Sequence, residues 1–554
     1  MPTLQFKGRN VIWNHHLSVP YHTFDDVRTL DVNAKRTDGN LLIEGDNLAA
    51  LKALLPLYSG KIDCIYIDPP YNTGNEGWVY NDKVNSPVIQ DWLGKVVAKD
   101  DLTRHDKWLC TMVPRLTLLR ELLSDDGSLF VSIDDVEVFH LRCLLNEIFG
   151  EQNFVAEIVV HANPKGRVLD RHFSKSHEYI LAYTKDYLKA DLTIEKTDEE
   201  IASQYTEEDD NGKFRALELR NTHREFGKHN RPNLSYPFYV SVDLKKISLS
   251  SFRGSTKVLP DWEDGYKGCW TWGKDKVDAE MKKLIARCVG ERTKIFRKAY
   301  SDDENDERVR KKLKTIWYDN EFNTEKGQRE VDNLLGGRLF QSPKPIELVK
   351  TCIKVSSSSE SIVLDSFAGS GTTAHAVLDL NKEDGGNRKF ILVQMTEATP
   401  EEPEKNICKN ITRERIKRAI AELSLDVGFK YLRVGTPLDP ESLLSGNLPT
   451  FAQFAEYVFH LCTGEIIHER GKISEDNCFV GYHGSLAVYL IYRSDVEELG
   501  RLALNLQLAE KFRKSNPNKR LVVYAPACFL SEEDLEELQI DFVGIPYSLF
   551  QRNK

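Results

Sequence analysis

Two stretches of this chain, residues 41–185 and 361–435, alternate short apolar segments with amphipathic segments of helical spacing. Apolar runs of roughly four to eight residues predict buried strands, and apolar residues three and four apart predict helices. The predicted strands are 41–45, 62–67, 127–133, 154–162, 177–185, 361–367 and 389–395, and the predicted helices are 47–55, 136–150, 371–380 and 413–423. This alternation predicts an α/β fold with a largely parallel sheet that both stretches build.

The segment between the two stretches differs from them in charge. Residues 211–300 contain 20 Lys+Arg and 10 Asp+Glu, and since the whole 554-residue chain has a net charge of −10, the other residues carry −20. A local basic excess is typical of a polyanion-binding surface, although a solvated lysine-rich face is the alternative. We expect most of its aromatic residues to form a core and a few to contact nucleic acid: Phe214, Phe226, Tyr236, Phe238, Tyr239, Phe252, Trp262, Trp270, Trp272, Phe296 and Tyr300.

The composition excludes several classes of protein. With 41% hydrophobic and 29% charged residues the chain is typical of a globular protein. No apolar run approaches the roughly 20 residues of a membrane span, and the first residues lack the layout of a signal peptide. The ten cysteines show no CxxC pair and the 14 histidines no HxH or HExxH group. We therefore expect reduced thiols, a cytoplasmic location, no metal site and no membrane partner.

The segment DSFAGSGTT, residues 365–373, joins a predicted strand directly to a predicted helix. Glycines at such a turn let the backbone approach a ligand closely while the helix N-terminus faces it. Asp365, at the strand end, can accept hydrogen bonds from an ammonium or hydroxyl group. The segment is not a Walker A loop, because no lysine follows the glycines, and it lacks the third glycine of the dinucleotide fingerprint. A Gly-x-Gly turn also occurs where a strand and a helix simply pack tightly.

The segment DPPYNTG, residues 68–74, follows the predicted buried strand 62–67. Two prolines fix φ and remove two donors, so a stiff, extended ledge is expected at the carboxyl end of the strand, where open α/β sheets bind ligands. The Asp68 carboxylate and the Pro69 carbonyl can accept both protons of an amino group on a heteroaromatic ring, and the Tyr71 ring can stack on that ring. The alternative is a rigid turn with no functional role, but Asp-Pro-Pro-Tyr at the end of a buried strand is rarely only that.

The DPPY motif followed by FAGSG resembles the S-adenosyl-L-methionine-dependent DNA amino-methyltransferases. The order, with DPPY first, a basic insertion next and FAGSG last, is similar to their β class, and DPPY resembles the adenine-N6 branch. The whole pattern looks most like the modification subunits of Type III restriction systems. The segments that carry the resemblance are LLIEGDNLAAL (41–51), GSLFVSIDD (127–135), HEYILAYTKD (177–186), IWYDNEFNTEKGQREVDNLLGG (316–337), FQSPKPIELV (340–349) and KFILVQMTE (389–397).

The resemblance implies roles for individual residues. A flipped adenine would be held and activated by Asp68, Pro69, Pro70 and Tyr71, with no metal involved. S-adenosyl-L-methionine would be framed by Asp365, Phe367, Ala368, Gly369, Gly371 and Thr372, reached by Asp46 and Asn47, and lined at its entrance by Lys344 and Pro345. The chain departs from the family at one place. Where an acid commonly holds the ribose hydroxyls, this sequence has Gln394, with Glu397 three residues further on.

The resemblance also implies a fold, a domain order and partners. We expect a Rossmann-like methyltransferase sheet in permuted order, an inserted target-recognition domain and a small C-terminal α/β domain with strands at 486–493, 519–527 and 540–546 and a helix at 498–512. The expected divisions are an N-terminal arm 1–37, a catalytic half 38–195, an insertion 196–335, a cofactor-binding half 336–432 and a C-terminal domain 433–554.

The expected activity is sequence-specific transfer of a methyl group to adenine N6 in double-stranded DNA after base flipping. A helicase–nuclease restriction subunit and a second copy of this chain are the expected protein partners. Several alternatives stay open. The target could be cytosine N4, RNA or a protein glutamine amide, the enzyme could be an orphan methyltransferase, or the chain could be a DNA-recognition module that positions a separate restriction subunit.

Overall fold

The computed structural model describes residues 3–36, 39–73, 92, 103–166, 171–302, 309–398, 402–439, 442, 445 and 448–545. Up to residue 192 it contains helices α1 (Arg9–Ile12), α2 (His15–Ser18), α3 (Asn47–Tyr58), α4 (Arg104–Leu122) and α5 (Val138–Phe149), and strands β1 (His22–Asp26), β2 (Leu41–Glu44), β3 (Ile62–Ile67), β4 (Leu123–Ile133), β5 (Phe154–Val160) and β6 (Glu178–Thr184). Each strand expected in this stretch is therefore present.

The middle of the chain, Thr193–Leu313, is a compact unit of its own. Its strands are β7 (Ile194–Glu195), β8 (Glu207–Asp209), β9 (Gly212–Glu218), β10 (Phe238–Ser241), β11 (Ile247–Ser248), β12 (Ser255–Val258), β13 (Leu284–Val289), β14 (Arg292–Tyr300) and β15 (Arg310–Lys311), and its helices are α6 (Asp198–Gln204) and α7 (Lys274–Ala279). They form small sheets in the orders β11-β10-β12, β13-β14-β9-β8 and β15-β7.

The remaining elements belong to the larger unit, which comprises Met1–Leu192 and Lys314–Lys554. The first group is β16 (Ile316–Trp317), α8 (Thr324–Leu335), α9 (Ile346–Ser356), β17 (Ile362–Asp365), α10 (Thr372–Asp384), β18 (Lys389–Gln394), α11 (Arg413–Glu422) and β19 (Lys430–Pro437). The second is α12 (Phe451–Thr463), β20 (Phe479–His483), β21 (Leu486–Leu490), α13 (Val496–Leu499), α14 (Leu506–Ser515), β22 (Arg520–Ala525), α15 (Glu532–Glu537) and β23 (Ile540–Gly544).

Both predicted stretches contribute to one ten-stranded sheet, in the order β1-β19-β2-β18-β17-β3-β4-β6-β5-β16. Neighbouring strands are parallel except where β6 pairs with β4 and β5 and where β1 pairs with β19. From β17 the chain passes through α10 to β18, and from β3 it passes through α4 to β4. These two connections lead in opposite directions along the sheet from the β17–β3 pair. The predicted Rossmann-like sheet in permuted order is confirmed, and its topological switch point lies between β17 and β3, where such sheets bind ligands.

The longest helix, α4, was not predicted. Twelve of its 19 residues are buried, including Lys107 and Arg115, and Pro114 lies inside it. A helix that is buried on most of its surface shows no clear apolar stripe, so periodicity does not detect it. The helix packs against α3 and α5 and carries side chains to the carboxyl edge of the sheet.

The C-terminal segment forms a four-stranded sheet in the order β20-β21-β22-β23. Its predicted strands are present, β20 was not predicted, and the predicted helix 498–512 is wrong in its extent. The chain forms α13 and α14 separately, because the Asn505 side chain caps α14 by accepting a hydrogen bond from the Leu508 amide at 3.0 Å. Just before this cap, the backbone of Leu504 forms an isolated parallel β-bridge with that of Cys528. The domain boundaries expected at 196, 335 and 433 stay predictions.

One hydrophobic cluster of the larger unit extends from the N-terminal helices to the C-terminal sheet, and smaller clusters lie apart from it. Side chains of α12, such as Phe454 and Tyr457, belong to the same cluster as Ile65 on β3. The smaller unit has its own core, in which Trp270 packs edge-on against Phe238. Within the described ranges, no helix has the length and apolar character needed to cross a membrane.

We expect Phe454→Ala to lower the free energy of unfolding of the larger unit by about 3–5 kcal/mol, the usual cost of removing a buried phenyl ring. The ring is fully buried and packs edge-on against Tyr492 at 4.7 Å. Urea unfolding followed by circular dichroism measures the change. Phe139→Ala is the matched control, since Phe139 is 77% exposed and its loss should change the value by about 0.5 kcal/mol or less. Equal effects of the two substitutions would contradict the assignment of this core.

Candidate functional site

The DPPY motif forms a loop at the carboxyl end of β3. Asp68 directly follows the strand, and its carboxylate oxygen Oδ1 is buried. This oxygen lies 3.4 Å from the Lys344 ammonium nitrogen, yet it accepts no hydrogen bond from the described part of the chain. Buried acceptors are almost always paired, and each exception needs an explanation. Oδ1 faces the Lys344 ammonium, and because the side chain as a whole is 28% exposed, the carboxylate remains accessible to a ligand at the end of the strand at the switch point.

The Lys344 ammonium lies at the centre of a buried polar cluster. It donates hydrogen bonds to Tyr71 Oη at 2.6 Å and to Glu178 Oε2 at 2.9 Å, and Tyr71 Oη in turn donates to Glu178 Oε2 at 3.1 Å. Burial raises the pKa of Asp68; Lys344 opposes this shift and Glu178 adds to it. Burial lowers the pKa of Lys344, but the two carboxylates outweigh burial and its net pKa lies above the ordinary value. The cluster thus contains one cation that stays charged.

Helix α4 and the start of α5 hold the backbone of the same loop. The indole Nε1 of Trp108 donates to the Pro70 carbonyl at 2.7 Å. Asn72 has a left-handed backbone with φ of 58°, and its side-chain amide donates to Glu137 Oε1 at 2.5 Å. The loop is therefore fastened on both sides of Tyr71.

The FAGSG segment turns β17 into α10. Asp365 ends the strand, and its carboxylate accepts hydrogen bonds from the Phe367 amide at 2.9 Å and from Thr373 Oγ1 at 2.5 Å. Gly369 and Gly371 have φ of 50° and 85°, which L side chains rarely adopt. A Cβ atom on Gly369 would also lie 3.2 Å from the Phe340 ring. Both glycines are required by the turn, as the sequence predicts.

Side chains from two neighbouring elements hold the glycine loop. Gln394, the last residue of β18, accepts a hydrogen bond from the Gly369 amide at 2.7 Å through Oε1. Thr412 Oγ1 donates to the Gly369 carbonyl at 2.6 Å. Gln394 therefore positions the loop, while Glu397 lies at the rim with a side chain that is 44% exposed and accepts from Gln394 Nε2 at 3.1 Å.

The cofactor-side residues and the DPPY cluster are physically joined. Arg415, fully buried, donates to Thr372 Oγ1 at 2.7 Å, and this hydroxyl donates to the Lys344 carbonyl at 3.2 Å. Lys344 therefore contacts the glycine loop through its backbone and the DPPY loop through its side chain. Pro345 precedes the first residue of α9, and Ala368 is buried beneath the glycine turn.

Asp46 and Asn47 reach the same place from the start of α3. Asp46 caps the helix by accepting from the Ala49 amide at 3.0 Å. Asn47 donates to the Ser366 carbonyl at 3.1 Å and accepts from Arg115 Nε at 2.6 Å, so α4 fixes this amide next to the glycine loop. All sixteen predicted site residues thus lie on the carboxyl edge around β2, β18, β17 and β3, with Glu397 at the rim.

Three groups that the sequence analysis did not single out lie beside the DPPY loop. Glu178 and Trp108 contact it directly, as described above, and Glu178 falls in a segment quoted for the resemblance without a role. The third is a cluster of His105, Glu137 and His140, whose nearest ligand atoms lie within 4.8 Å of one another. The spacing Glu-x-x-His at 137–140 was a signal for this cluster, whereas nothing in the sequence pointed to His105.

The distances within this cluster are those of hydrogen bonds. His105 Nδ1 lies 2.6 Å from Glu137 Oε1, and His140 Nδ1 lies 2.8 Å from Glu137 Oε2. Two ligands of one tetrahedral zinc ion, with bonds of about 2.0–2.1 Å, would lie roughly 3.3 Å apart. Since a carboxylate only accepts, each imidazole donates from Nδ1, and Glu137 raises the pKa of His140.

Comparison of the sequence with known proteins gives a match to one family model and to several relatives. The DNA methylase family N6_N4_Mtase matches residues 62–405. The chain is 37% identical over 376 residues to the Type III restriction-modification enzyme EcoPI Mod subunit of Escherichia phage P1, covering 65% of this chain and 58% of that protein. It is 34% identical over 354 residues to the Type II methyltransferase M.KpnI of Klebsiella pneumoniae, covering 63% and 79%.

A second Mod subunit gives a similar match. The chain is 33% identical over 439 residues to the Type III restriction-modification enzyme StyLTI Mod subunit of Salmonella typhimurium, covering 74% of this chain and 63% of that protein. The chain therefore spans less than two thirds of the length of both Mod subunits.

The protonation of Asp365 generates a prediction about stability. Burial raises the pKa of Asp365 to about 7, from an ordinary value of 3.8. The folded state then binds more protons than the unfolded state between these values, so the contribution of Asp365 to stability is lost as the pH rises from about 4 to about 7. In Asp365→Asn this loss is absent. We expect the stability of the variant relative to the wild type to increase, on the order of a few kcal/mol, from pH 4 to pH 8. Urea unfolding at both pH values tests this; a constant difference would contradict it.

Proposed function

The chain belongs to the DNA methylase family N6_N4_Mtase, and from this premise we propose that it transfers a methyl group from S-adenosyl-L-methionine to the N6 amino group of adenine in double-stranded DNA. The observation that carries the proposal is the placement of two carboxylates, Asp68 and Asp365, at the carboxyl ends of adjacent parallel strands on either side of the switch point. The Asp68 carboxylate can accept from an aromatic amino group, and the Asp365 carboxylate can accept from a ligand ammonium.

The donor set at the glycine loop fits the proposed cofactor. S-adenosyl-L-methionine supplies a methyl group that is already electrophilic because it is bound to a sulfonium. Asp365 lies at the strand end where the methionine ammonium would bind, and the Ser366 hydroxyl is buried there with no hydrogen bond in the described part of the chain. Asn47 faces the same loop. Glu397, exposed and held by Gln394, is the residue we assign to the ribose hydroxyls.

The DPPY loop would hold the target amino group. The Asp68 carboxylate and the Pro69 carbonyl accept its two protons and so reduce the delocalisation of the nitrogen lone pair into the ring. Tyr71 stacks on the flipped base, with its hydroxyl fixed by Lys344 and Glu178. The protein then aligns nitrogen, methyl and sulfur and excludes water. Asp68 needs only to accept a hydrogen bond, because the proton can leave once the nitrogen is cationic.

The smaller unit, Thr193–Leu313, is the proposed DNA-recognition domain. Five of the aromatic residues named above are buried there, and the other six are partly buried. Trp262 is one of the partly buried residues, and its ring lies beneath the guanidinium groups of Arg220 and Arg224, at 4.0 and 4.5 Å. It lines a cavity of about 430 Å³ together with Lys257 and Arg292. Cations beside a partly buried aromatic ring support contact with phosphates and bases.

The role in a restriction system is a further proposal. The similarity to two Type III Mod subunits supports a role as a modification subunit. A helicase–nuclease partner, and a homodimer in which one copy reads and the other methylates, stay predictions. The similarity to M.KpnI, a Type II methyltransferase, favours instead an enzyme that acts without such a subunit. Co-purification with the product of a neighbouring restriction gene separates these two roles. A cytoplasmic location also stays a prediction.

The decisive experiment is to incubate the protein with radiolabelled cofactor and genomic DNA and to digest the product to nucleosides. Label in N6-methyladenine supports the proposal. Label in N4-methylcytosine would show that the same site methylates cytosine and not adenine. Label in RNA or protein, with none in DNA, would overturn the assignment of the substrate.

We expect Asp68→Asn to lower kcat by about 100-fold or more, because an uncharged amide oxygen is a weaker acceptor than a carboxylate oxygen and the amide NH2 group opposes the protons of the target amino group. Cofactor and DNA affinity should stay within about twofold, since Asp68 contacts neither the glycine loop nor a phosphate in this scheme. Steady-state methylation and calorimetric titration measure the two quantities. Asp126→Asn, an exposed residue of β4, is the control. Full activity in Asp68→Asn would show that another group accepts the amino protons.

We expect the double variant Lys257→Gln, Arg292→Gln to weaken DNA binding and to reduce the slope of log K against log salt by about 0.9 for each phosphate that is no longer neutralised. Both side chains are exposed on the smaller unit. Fluorescence anisotropy between about 50 and 200 mM salt measures the slope. The double variant Arg501→Gln, Lys514→Gln removes the same charge from exposed sites in the C-terminal segment and should leave the slope unchanged. If both double variants behave alike, DNA binds outside this cavity.

A further inference from the structure

Glu137 is a fully buried carboxylate that three donors surround. His105 Nδ1 and the Asn72 side-chain amide both donate to Oε1, at 2.6 and 2.5 Å, and His140 Nδ1 donates to Oε2 at 2.8 Å. A buried carboxylate is tolerated only when it is paired and hydrogen-bonded. The two imidazoles, each about one third exposed, supply two of these donors. Among the described residues, the carboxylate is thus part of a hydrogen-bonded network rather than an isolated charge.

The third donor connects this network to the proposed catalytic loop. Asn72 follows Tyr71 directly and is fully buried. Its φ of 58° is a conformation that residues other than glycine rarely adopt, although asparagine tolerates it better than most. The hydrogen bond to Glu137 fixes the side chain that accompanies this turn. We therefore expect a change at Glu137 to alter the backbone conformation directly after Tyr71.

A second contact fastens the loop on the other side of Tyr71. Trp108 donates to the Pro70 carbonyl at 2.7 Å, and His105 lies three residues before it on the same helix, α4. Residues three apart share a helix face. One face of α4 thus supports Pro70 directly and Asn72 through Glu137. The Tyr71 backbone is held between these two points.

We propose that Glu137 is a positioning residue, which holds Asn72 and thereby sets the position of the Asp68–Tyr71 loop relative to the target base. His105 and His140 hold the Glu137 carboxylate in place through their hydrogen bonds. This inference rests on the proposed function, because it assigns to that same loop a support that acts at a distance. Glu137 does not touch the reacting atoms. Its effect should appear in the rate of the chemical step, since small displacements of reacting groups cost large factors in rate.

Two variants test the connection. Glu137→Gln keeps the size of the side chain but removes the charge, and Asn72→Gly removes the amide while glycine retains the left-handed backbone without strain. We expect each to lower kcat by about tenfold or more, with the dissociation constants for S-adenosyl-L-methionine and DNA within about twofold of wild type. Both variants act on the same hydrogen bond, which loses the charge of its acceptor in Glu137→Gln and is absent in Asn72→Gly. The double variant should therefore be little worse than Asn72→Gly alone.

The control separates positioning from a general loss of stability. Glu147→Gln removes another largely buried carboxylate of α5, one that pairs with Arg9 at 2.7 Å and lies away from the loop. Its kcat should stay close to wild type. If Glu147→Gln and Glu137→Gln reduce kcat equally, or if the effects of Asn72→Gly and Glu137→Gln multiply, the proposal is overturned. Should Glu137→Gln not fold, Asn72→Gly alone carries the kcat test.

Hydrogen exchange of the peptide containing residues 68–73 provides a readout that needs no activity. We expect faster exchange in this peptide in Glu137→Gln and no change in Glu147→Gln. An inactive wild type whose peptide still responds to Glu137→Gln would overturn the proposed function but not the positioning role. An active wild type with unchanged exchange and unchanged kcat in Glu137→Gln would overturn the positioning role alone.

Discussion

One buried ammonium, that of Lys344, joins the two parts of the site. Its side chain contacts Asp68, Tyr71 and Glu178, and its carbonyl accepts from Thr372 in the glycine loop. The cation offsets the repulsion between the Asp68 and Glu178 carboxylates, which is strong because both are partly desolvated at the sheet edge. The segment that carries Lys344 is more than 270 residues away from the DPPY loop in the chain. A single cation thus stabilises contact between the two halves of a permuted sheet.

The sheet makes this contact possible by bringing two strand ends side by side. β3 and β17 are parallel neighbours, so Asp68 and Asp365 emerge on the same edge although the smaller unit separates them in sequence. The helix α4 then supports this edge from below through Trp108, Arg115 and His105. Rigid elements carry the groups that must be aligned, which is what a reaction governed by geometry requires.

The predicted strands and motifs were recovered wherever local sequence decides structure. Apolar runs gave β3, β17 and β18, and the glycines of 365–373 are in the left-handed conformation that such a turn needs. Prediction failed where local patterns were weak or ambiguous. Helix α4 is buried on most of its surface and so lacks a stripe, and the 498–512 segment reads as one helix although Asn505 begins a second.

By itself, the sequence determined which residues stand at strand ends, because strand periodicity, proline and glycine act over a few residues. It therefore identified the DPPY and FAGSG loops and the α/β class. Only the tertiary structure decided which side chains support these loops, because Lys344, Glu178, Trp108 and Glu137 reach them across tens to hundreds of residues of chain. Such contacts depend on how helices and strands pack, and packing of distant segments leaves no local pattern to read.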